Sequence, residues 1–329
     1  MSTPEKTYWL GFDLGGTKML AAVFNKEFTI LARKKKKTKA HEGVESAVER
    51  MLETINGAVE DAGITLSEVA GIGIGCPGPL DLNTGTVIHA PNLGWENFAL
   101  QDTIAKATGV PVVIMNDVDA GVYGEYCFGA AKGARSVLGV FPGTGVGGGA
   151  VINGELLRGT ISSCMEIGHI EVIANGPLCG CGRYGCLETV SSRLAIATAA
   201  AAAALRGDAP ALLEAAGSDV ALIKSSTLAA SIAAGDSVVE QIVRNAARWL
   251  GKGVSTAVNL FAPDVVVLGG GVIEAMSNII VPEVQAVVDA GCVVAYGTPL
   301  KIVAAMLSDD AGICGSAAWA RHTLEGTVS

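Results

Sequence analysis

Four side chains that can bind a metal ion lie within a short stretch of this chain. His169 is followed by Cys179, Cys181 and Cys186, and glycines separate the cysteines. One imidazole and three thiolates are a donor set that closes a tetrahedral structural Zn²⁺ site. The alternatives are a disulfide, a redox pair, or a glycine-rich turn with incidental thiols. The first cysteine spacing is CxC, not the CxxC of a redox pair, so we expect structural zinc.

A second group of residues could hold phosphate and Mg²⁺. The motif DLGGTK, Asp13 to Lys18, places two glycines and a threonine at a predicted strand–strand turn. Glycines let backbone N–H groups approach an anion, and an aspartate offers the oxygen ligand that magnesium prefers. By itself the motif also fits a plain tight hairpin. It has neither the Walker A spacing nor the strand-to-helix context of a dinucleotide fingerprint.

Two later glycine stretches resemble the first one in composition. PGTGVGGG, Pro142 to Gly149, predicts a second phosphate-binding turn in the second half of the chain. GGGV, Gly269 to Val272, follows a buried strand and would let a base or ribose approach the backbone, or would simply begin a helix. A matched pair of anion-binding turns on two domains predicts a nucleotide whose phosphates lie between them.

Asn116 and Asp117 end a hydrophobic strand and begin a predicted helix. Either residue is a good helix N-cap, and that is the structural interpretation. A carboxylate at the carboxyl edge of a sheet can also accept a proton from a substrate hydroxyl as a general base. Both roles can hold for this pair, because it offers two polar side chains for one cap.

Composition limits the class of protein. The chain has 329 residues, half of them hydrophobic and 17% charged, with a net charge of −9. This length suits about two domains, and the acidic balance argues against nucleic acid as a partner. The N-terminus lacks a secretory pattern, and we find no apolar stretch typical of a membrane span. We therefore expect a cytoplasmic protein, with no membrane partner and with reduced thiols.

Strands and helices that could position these residues follow from the hydrophobic pattern. Residues 8–14, 19–25 and 28–38 predict an antiparallel opening, and 43–63 an amphipathic helix. The second half again begins with a strand, a glycine turn and a strand, followed by helices from Ser191 to Phe261. This weak internal repeat predicts two related α/β domains with a cleft between them.

The motifs together resemble the ROK family (repressors, open reading frames, kinases). DLGGTK, PNLGW, MND, GTGVGGG, EIGH and CGCGRYGCLE occur in this order over nearly the whole chain, which looks most like a bacterial ROK glucokinase. The resemblance implies an α/β protein with the actin-like ATPase (ribonuclease H-like) fold, with two similar domains around a cleft. It also implies ATP with Mg²⁺, phosphorylation of a sugar hydroxyl, and a homodimer or homotetramer.

Roles for individual residues follow from the same resemblance. Asp117 matches the catalytic base. The positions that match sugar contacts are Asn92, Asn116, Asp117, Glu166, His169 and Glu188. The positions that match the phosphate, nucleotide and magnesium region are Asp13, Gly15, Gly16, Thr17, Lys18, Gly143, Thr144, Gly145, Gly269 and Gly270. His169, Cys179, Cys181 and Cys186 match the zinc ligands. We expect a smaller N-terminal domain of residues 1–118 with a C-terminal helix at about 311–325, and a larger domain of residues 119–310.

Our prediction is ATP-dependent phosphorylation of glucose at its 6-hydroxyl. The alternatives are another hexose (an N-acetylated amino sugar, mannose, fructose or allose) and a non-catalytic sugar sensor. Cys164 and Met165 stand where the family usually has Ala-Gly, which predicts a reshaped sugar pocket. DLGGTK begins at residue 13, so we expect no DNA-reading domain. The basic run Arg33 to Lys39 could bind polyphosphate as donor, although a solvated strand edge is the favoured interpretation.

Overall fold

The computed structural model describes residues 6–160, 164–293 and 300–326. The chain forms two compact units. The first comprises Met1–Gly133, Glu155–Cys164 and Asp309–Ser329, and the second comprises Ala134–Gly154 and Met165–Ser308. The first unit thus keeps residues 119–133, which the sequence prediction assigned to the second domain. The predicted domain division itself remains a prediction.

The first unit contains most of the strands. Its strands are β1 Tyr8–Leu14, β2 Lys18–Phe24, β3 Ile30–Lys37, β4 Val69–Cys76, β5 Leu80–Asp81, β6 Thr86–Ala90, β7 Trp95–Phe98, β8 Val112–Asn116 and the later β11 Glu155–Leu156. Its helices are α1 Val44–Asp61, α2 Leu100–Thr108, α3 Asp117–Phe128 and the C-terminal α10 Ala311–Glu325. The predicted antiparallel opening and the first helix therefore lie within a residue or two of their expected bounds.

The main sheet of the first unit has the order β3-β2-β1-β4-β8. The first three strands are antiparallel, whereas β1, β4 and β8 are parallel. Parallel strands end at the same edge of a sheet, so the carboxyl ends of β1 and β8 flank that of β4. The sequence patterns for these strands are apolar runs, and their side chains form the core together with α1 and α2.

Helix α10 packs closely on this sheet because glycines leave room for its backbone. A Cβ atom at Gly11 would lie 1.9 Å from the carbonyl oxygen of Ile313, and one at Gly73 would lie 1.8 Å from that of Ser316. Both glycines are in strands, β1 and β4, where glycine is otherwise unfavourable. The close approach holds the start of α10 beside the end of β1.

A small sheet of β5, β6 and β7 was not predicted from the sequence. All three strands are short and antiparallel, and β5 has only two residues. Their burial patterns do not alternate regularly, so the sequence carries no clear period-two signal for these strands. Trp95 is nevertheless among the largest fully buried side chains, and it anchors this sheet in the core.

The second unit repeats the opening of the first. Its strands are β9 Val137–Pro142, β10 Val146–Ile152, β12 Val265–Leu268 and β13 Lys301–Ala304. They follow the order β10-β9-β12-β13, with an antiparallel β9–β10 hairpin and parallel β9, β12 and β13. The predicted turn over Pro142–Gly149 is shorter than expected, because Gly147, Gly148 and Gly149 pair with β9. Only residues 143–145 connect the two strands.

Six α-helices are described in the second unit besides its strands and the irregular segment of residues 170–187. They are α4 Glu188–Ser191, α5 Arg193–Leu205, α6 Pro210–Ala216, α7 Ser225–Ala233, α8 Ser237–Phe261 and α9 Gly271–Gly291. Helix α9 is long and apolar enough to span a membrane by length and composition. Its Glu283 is paired with Arg244 and Arg248 of α8 at 2.7 and 2.9 Å, and one face is buried. These contacts are typical of a core helix.

Candidate functional site

Two carboxylates meet at the edge of the first sheet. Asp13 lies near the end of β1 and pairs in register with Gly75 of β4. A Cβ atom at Gly75 would lie 3.7 Å from the Cα atom of Asp117, the first residue of α3. Gly75 therefore leaves room for the first turn of α3 against β4, and the charge of Asp117 acts on Asp13. The predicted magnesium ligand and the predicted general base are thus neighbours.

The surroundings of Asp13 favour a cation. The pKa of Asp13 is raised from 3.8 to about 6, chiefly by burial and also by the negative charges of Asp117 and Asp309, while Lys18 opposes the shift. A raised carboxylate pKa means that the ionised form lacks compensating charge. A divalent cation at this position would supply that charge, and carboxylate oxygens are ligands that Mg²⁺ accepts.

Asn116 is the N-cap of α3. Its Oδ1 accepts hydrogen bonds from the N–H groups of Val118 and Asp119 at 2.9 and 3.3 Å. Asp117 Oδ1 also accepts from the N–H of Val118, at 3.0 Å. The structural interpretation of this pair therefore holds, and it fixes the start of the helix that carries Asp117.

The first glycine turn is closed by a hydrogen bond from the N–H of Gly15 to the carbonyl oxygen of Lys18, at 3.0 Å. Thr17 is exposed, and Gly16 lies against Asn92: a Cβ at Gly16 would be 3.2 Å from that of Asn92. The turn and the predicted sugar-contact residue are thus side by side. The ammonium of Lys18 instead pairs with Asp309, at 2.5 Å.

The second glycine turn borders a cavity of about 390 Å³. The N–H of Gly143 donates to the carbonyl oxygen of Gly145 at 2.8 Å, which tightens the turn. The residues that line the cavity are Gly143, Thr144, Arg193, Lys224, Ser225, Ser226, Gly271 and Val272. Two of these side chains are cationic and none is acidic. Helices α7 and α9 also begin here, so their N-terminal N–H groups add to a positive surface that suits phosphate.

Gly269 and Gly270 have packing roles as well. A Cβ atom at Gly269 would lie 2.5 Å from the ring of Phe141, and Gly270 has a φ of 86°. Neither residue lines the cavity beside Gly143; Gly269 borders a different cavity of about 230 Å³. The nucleotide-contact role predicted for these two glycines remains a prediction.

The predicted zinc ligands converge in the second unit. One donor atom from each of His169, Cys179, Cys181 and Cys186 lies within 4.8 Å of the other three. Cys181 Sγ and Cys186 Sγ are 3.7 Å apart, and Cys179 Sγ is 3.6 Å from His169 Nδ1. Tetrahedral zinc with bonds of about 2.0–2.3 Å separates its donor atoms by about 3.5–3.8 Å. The donor types and spacing therefore fit zinc, with Nδ1 of His169 facing the site.

The other residues of the EIGH motif lie around this cluster. Glu166 is exposed and precedes a short 3₁₀ turn, Ile167–His169. Met165 has a φ of 62°, a left-handed conformation in which a long side chain is strained. A Cβ atom at Gly148 would lie only 2.6 Å from the carbonyl oxygen of Met165, so Gly148 is needed for this close approach. The departure from the Ala-Gly pattern thus falls at a position whose backbone favours glycine.

Arg33 to Lys37 of the basic run lie on β3, an edge strand, as the strand-edge interpretation proposed, and Lys39 follows the strand. Lys34 pairs with Asp61 at 2.9 Å, and Lys36 pairs with Glu53 at 2.5 Å. Lys35 pairs with Asp309, Arg33 with Asp310, and Lys39 with Glu42. Most of these charges are therefore matched by acidic neighbours in the same unit, which favours a solvated strand edge over a polyphosphate-binding surface.

The family relationship is clear once this architecture is known. The sequence profile of the ROK family matches residues 9–323. The chain belongs to the ROK family. The α/β fold with two similarly built units is the actin-like ATPase fold of this family's sugar kinases, and the predicted fold class is confirmed.

Individual relatives include both enzymes and regulators. A glucokinase of Streptomyces coelicolor is 33% identical over 316 residues, which cover 95% of this chain and 97% of the relative. A ROK family glucokinase from Streptomyces griseus, solved with glucose and AMPPNP, has a TM-score of 0.82 and 34% identity, covering 96% of this chain and 99% of that one. A ROK family transcriptional regulator, a homologue of the Escherichia coli MLC protein, has a TM-score of 0.84 at 27% identity, covering 96% of this chain and 78% of the regulator.

Sequence reasoning missed the side chains that complete each turn. Arg193 and Lys224 line the second cavity, and Asp309 neutralises Lys18 in the first unit. Arg193 carries a local signal, since it follows the N-cap Ser192 at a helix start. Lys224 and Asp309 are far along the chain from the turns they accompany and have no such signal.

Proposed function

We propose that this ROK protein is an ATP-dependent kinase that phosphorylates glucose at its 6-hydroxyl, with Asp117 as the general base. The observation that carries the proposal is the pair of neighbouring carboxylates, Asp13 and Asp117, beside the first glycine turn. Phosphoryl transfer to an alcohol needs a base for the hydroxyl proton and a cation for the phosphoryl charge. The similar glucokinases support the choice of reaction.

Asp117 accepts the proton of the 6-hydroxyl as that oxygen attacks the γ-phosphorus. Its position at the start of α3 is held by the capping of Asn116 and by its own bond to the N–H of Val118. A fixed carboxylate loses little conformational entropy when the sugar binds, so positioning supplies much of the rate.

Asp13 is the residue that would hold Mg²⁺. A Mg²⁺ ion held here would supply positive charge to offset the charge that develops on the phosphoryl oxygens during transfer. The negative charges of Asp117 and Asp309 near the buried Asp13, which contribute to its raised pKa, support this role. Gly15, Gly16 and Thr17 offer backbone and hydroxyl donors at the same turn, and Lys18 is held aside by Asp309.

The donor is ATP, and its phosphates occupy the turn of Gly143, Thr144 and Gly145. The glucokinase from Streptomyces griseus was solved with AMPPNP, which supports a nucleoside triphosphate donor. Arg193 and Lys224 place positive charge in the cavity beside the turn. Backbone N–H groups and cations together form the usual environment for transferring phosphates.

The sugar contacts are Asn92, Asn116, Glu166, His169 and Glu188, together with Asp117. Zinc held by His169 and the three cysteines would fix the orientation of the histidine ring. With Nδ1 facing the metal site, Nε2 is the nitrogen that can meet a sugar hydroxyl. A filled four-ligand site has no open coordination position, so the metal organises this region and does not catalyse.

A sugar panel with a coupled ADP assay, run with and without ATP, tests the proposal. Glucose is expected to show the highest kcat/KM among glucose, mannose, fructose, allose and an N-acetylated amino sugar. ADP release that favours another hexose would overturn the glucose assignment but keep the kinase. Polyphosphate without ATP is the control donor, and no turnover is expected with it.

A second candidate is a non-catalytic sugar sensor. The observation that favours it is the likeness to a ROK transcriptional regulator, at a TM-score of 0.84. A sensor binds sugar without releasing ADP, so calorimetric sugar binding with no turnover on any hexose would establish it. The Asp13–Asp117 pair favours the kinase instead.

The expected assembly is a homodimer or homotetramer in the cytoplasm. Light scattering coupled to size-exclusion chromatography measures the mass of the assembly in solution. A monomer at micromolar concentration would contradict this part of the proposal.

A further inference from the structure

A short stretch of chain joins the metal cluster to the second glycine turn. Cys186 belongs to the cluster, Glu188 begins α4, and Arg193 begins α5. Residues 186–193 therefore reach from a candidate metal ligand to the turn formed by residues 143–145. All of these residues lie in the second unit.

The carboxylate of Glu188 lies between the two sites. Its Oε1 lies 2.9 Å from Cys179 Sγ and 3.8 Å from His169 Nδ1. Its other oxygen faces the turn, because a Cβ atom at Gly145 would lie only 2.5 Å from Oε2. One carboxylate thus contacts the cluster with one oxygen and occupies the side-chain space of Gly145 with the other.

Arg193 makes the second attachment. Its backbone N–H donates to the carbonyl oxygen of Gly143 at 2.8 Å, and its guanidinium donates to Thr144 Oγ1 at 3.4 Å. Every residue of the turn is therefore contacted by Glu188 or Arg193. A shift of the segment cannot leave the turn unchanged, because packed contacts transmit displacement.

We propose that the metal cluster sets the position of the donor-phosphate turn, and that Glu188 is the positioning residue that couples them. The inference rests on the proposed use of Gly143, Thr144 and Gly145 for the donor phosphates. Zinc then supports the nucleotide half of the reaction as well as the sugar half. Coupling between two sites is reciprocal, so a bound nucleotide must also tighten zinc.

The test measures zinc affinity of the zinc-loaded protein by competition with a chromogenic chelator, with and without saturating AMPPNP. In the unaltered protein AMPPNP is expected to tighten zinc by about tenfold, a usual size for coupling between sites. In Glu188→Ala the nucleotide effect should fall below about twofold. Metal analysis should still find one zinc per chain in this variant, because Glu188 is not one of the four ligands.

Two glycine substitutions form a matched pair. Gly145→Ala places a methyl group where the Glu188 carboxylate lies and should abolish the nucleotide effect while every ligand and carboxylate is kept. Gly180→Ala is the control, since it lies inside the metal loop and its Cβ would meet nothing within 4 Å. It should retain the full nucleotide effect.

Four outcomes would overturn the coupling. Two concern Glu188→Ala: AMPPNP still tightens zinc by the full amount, or the variant loses its zinc. Two concern the unaltered protein: calorimetry shows that AMPPNP binds but zinc affinity does not change, or AMPPNP does not bind. Failure of the proposed function gives a different result. Protection that depends on Glu188, with no sugar phosphorylated, supports the coupling and removes the kinase.

Discussion

The two glycine turns are built from the same elements but differ in the charge around them. Each joins the antiparallel strands that open a sheet, β1–β2 in the first unit and β9–β10 in the second. The first turn lies beside Asp13 and Asp117, and its own Lys18 is neutralised by Asp309. The second turn borders a cavity lined by Arg193 and Lys224, and the carboxylate against this turn, that of Glu188, faces Gly145 outside the lining of that cavity.

This difference shows how one structural unit can serve two chemical tasks. A pair of carboxylates, one of them with a raised pKa, can bind a cation and supply a base, whereas cations and helix N-termini attract phosphate. The glycines at each turn provide the backbone geometry. The neighbouring side chains decide whether the turn faces a metal and a hydroxyl or a phosphate chain.

The largest effect is expected at Asp117. Asp117→Asn removes the base but keeps an oxygen for the N–H of Val118, so the helix start is preserved. We expect kcat with glucose and ATP to fall by about 10²–10⁴-fold, with glucose binding retained. A coupled assay and calorimetry measure the two quantities.

Asp102→Asn is the matched control, since Asp102 is an exposed residue of α2 near Lys106, at 3.6 Å. It should leave kcat unchanged. Near-normal turnover in Asp117→Asn would remove Asp117 from its role as base and would leave the first turn without its proposed chemistry.

The proposed role of the cations beside the second turn in phosphate binding can be tested at Arg193. Arg193→Gln should raise KM for ATP by about 10–100-fold, the usual worth of a charge-assisted hydrogen bond, with a smaller change in KM for glucose. Initial-rate kinetics with each substrate varied in turn measure both constants.

Arg206→Gln changes the same charge at the C-terminal end of α5, where Arg206 pairs with Asp208 at 2.9 Å. This control should leave both constants unchanged. Equal increases of the two KM values in Arg193→Gln would show general disruption and would argue against a phosphate-specific role for the cavity.

The raised pKa of Asp13, beside the first turn, predicts that the free energy of unfolding depends on pH. The folded pKa of Asp13 is about 6 against 3.8 for the free side chain, so between these values the folded protein retains a proton that the unfolded chain has released. The free energy of unfolding therefore falls as pH rises from about 4 to 6. At pH 7 the full loss of stability caused by ionising Asp13 is present.

Asp13→Asn removes this cost. Without Mg²⁺ and nucleotide, it should be more stable than the unaltered protein by about 1–3 kcal/mol at pH 7, with little difference near pH 4. Urea unfolding at both pH values measures it. A gain of equal size at pH 4 and pH 7 would show that the charge of Asp13 is not the cause.

The smallest effect is expected at Met165, whose carbonyl oxygen packs against Gly148 of β10. Its φ of 62° disfavours a long side chain, so Met165→Gly should raise the free energy of unfolding by about 1 kcal/mol. Asn153 also has a positive φ, 54°, in a two-residue hairpin position that asparagine tolerates, so Asn153→Gly is the control and should change stability less. Thermal unfolding compares the variants, and a loss of stability in Met165→Gly would show that packing of the Met165 side chain outweighs its backbone strain.

Much of the candidate site could be predicted because its signals are local. The four metal ligands lie between residues 169 and 186, and their residue types alone specify the donor set. Asp13 lies near the end of one apolar strand and Asp117 follows another, so their place at the edge of a sheet follows from the pattern. The small sheet of β5 to β7 was missed, because short strands with irregular alternation carry a weak periodic signal.

The sequence by itself determined the family, the fold class, the paired glycine turns and the metal-binding residue types. Only the tertiary structure decided which charges accompany each turn. Lys18 looked like a phosphate ligand, yet it pairs with Asp309, which lies 291 positions away. Glu188 reaches Gly145, and Arg193 and Lys224 come together from different helices. Local patterns specify strands, helices and turns, whereas contacts between distant segments depend on how those elements pack.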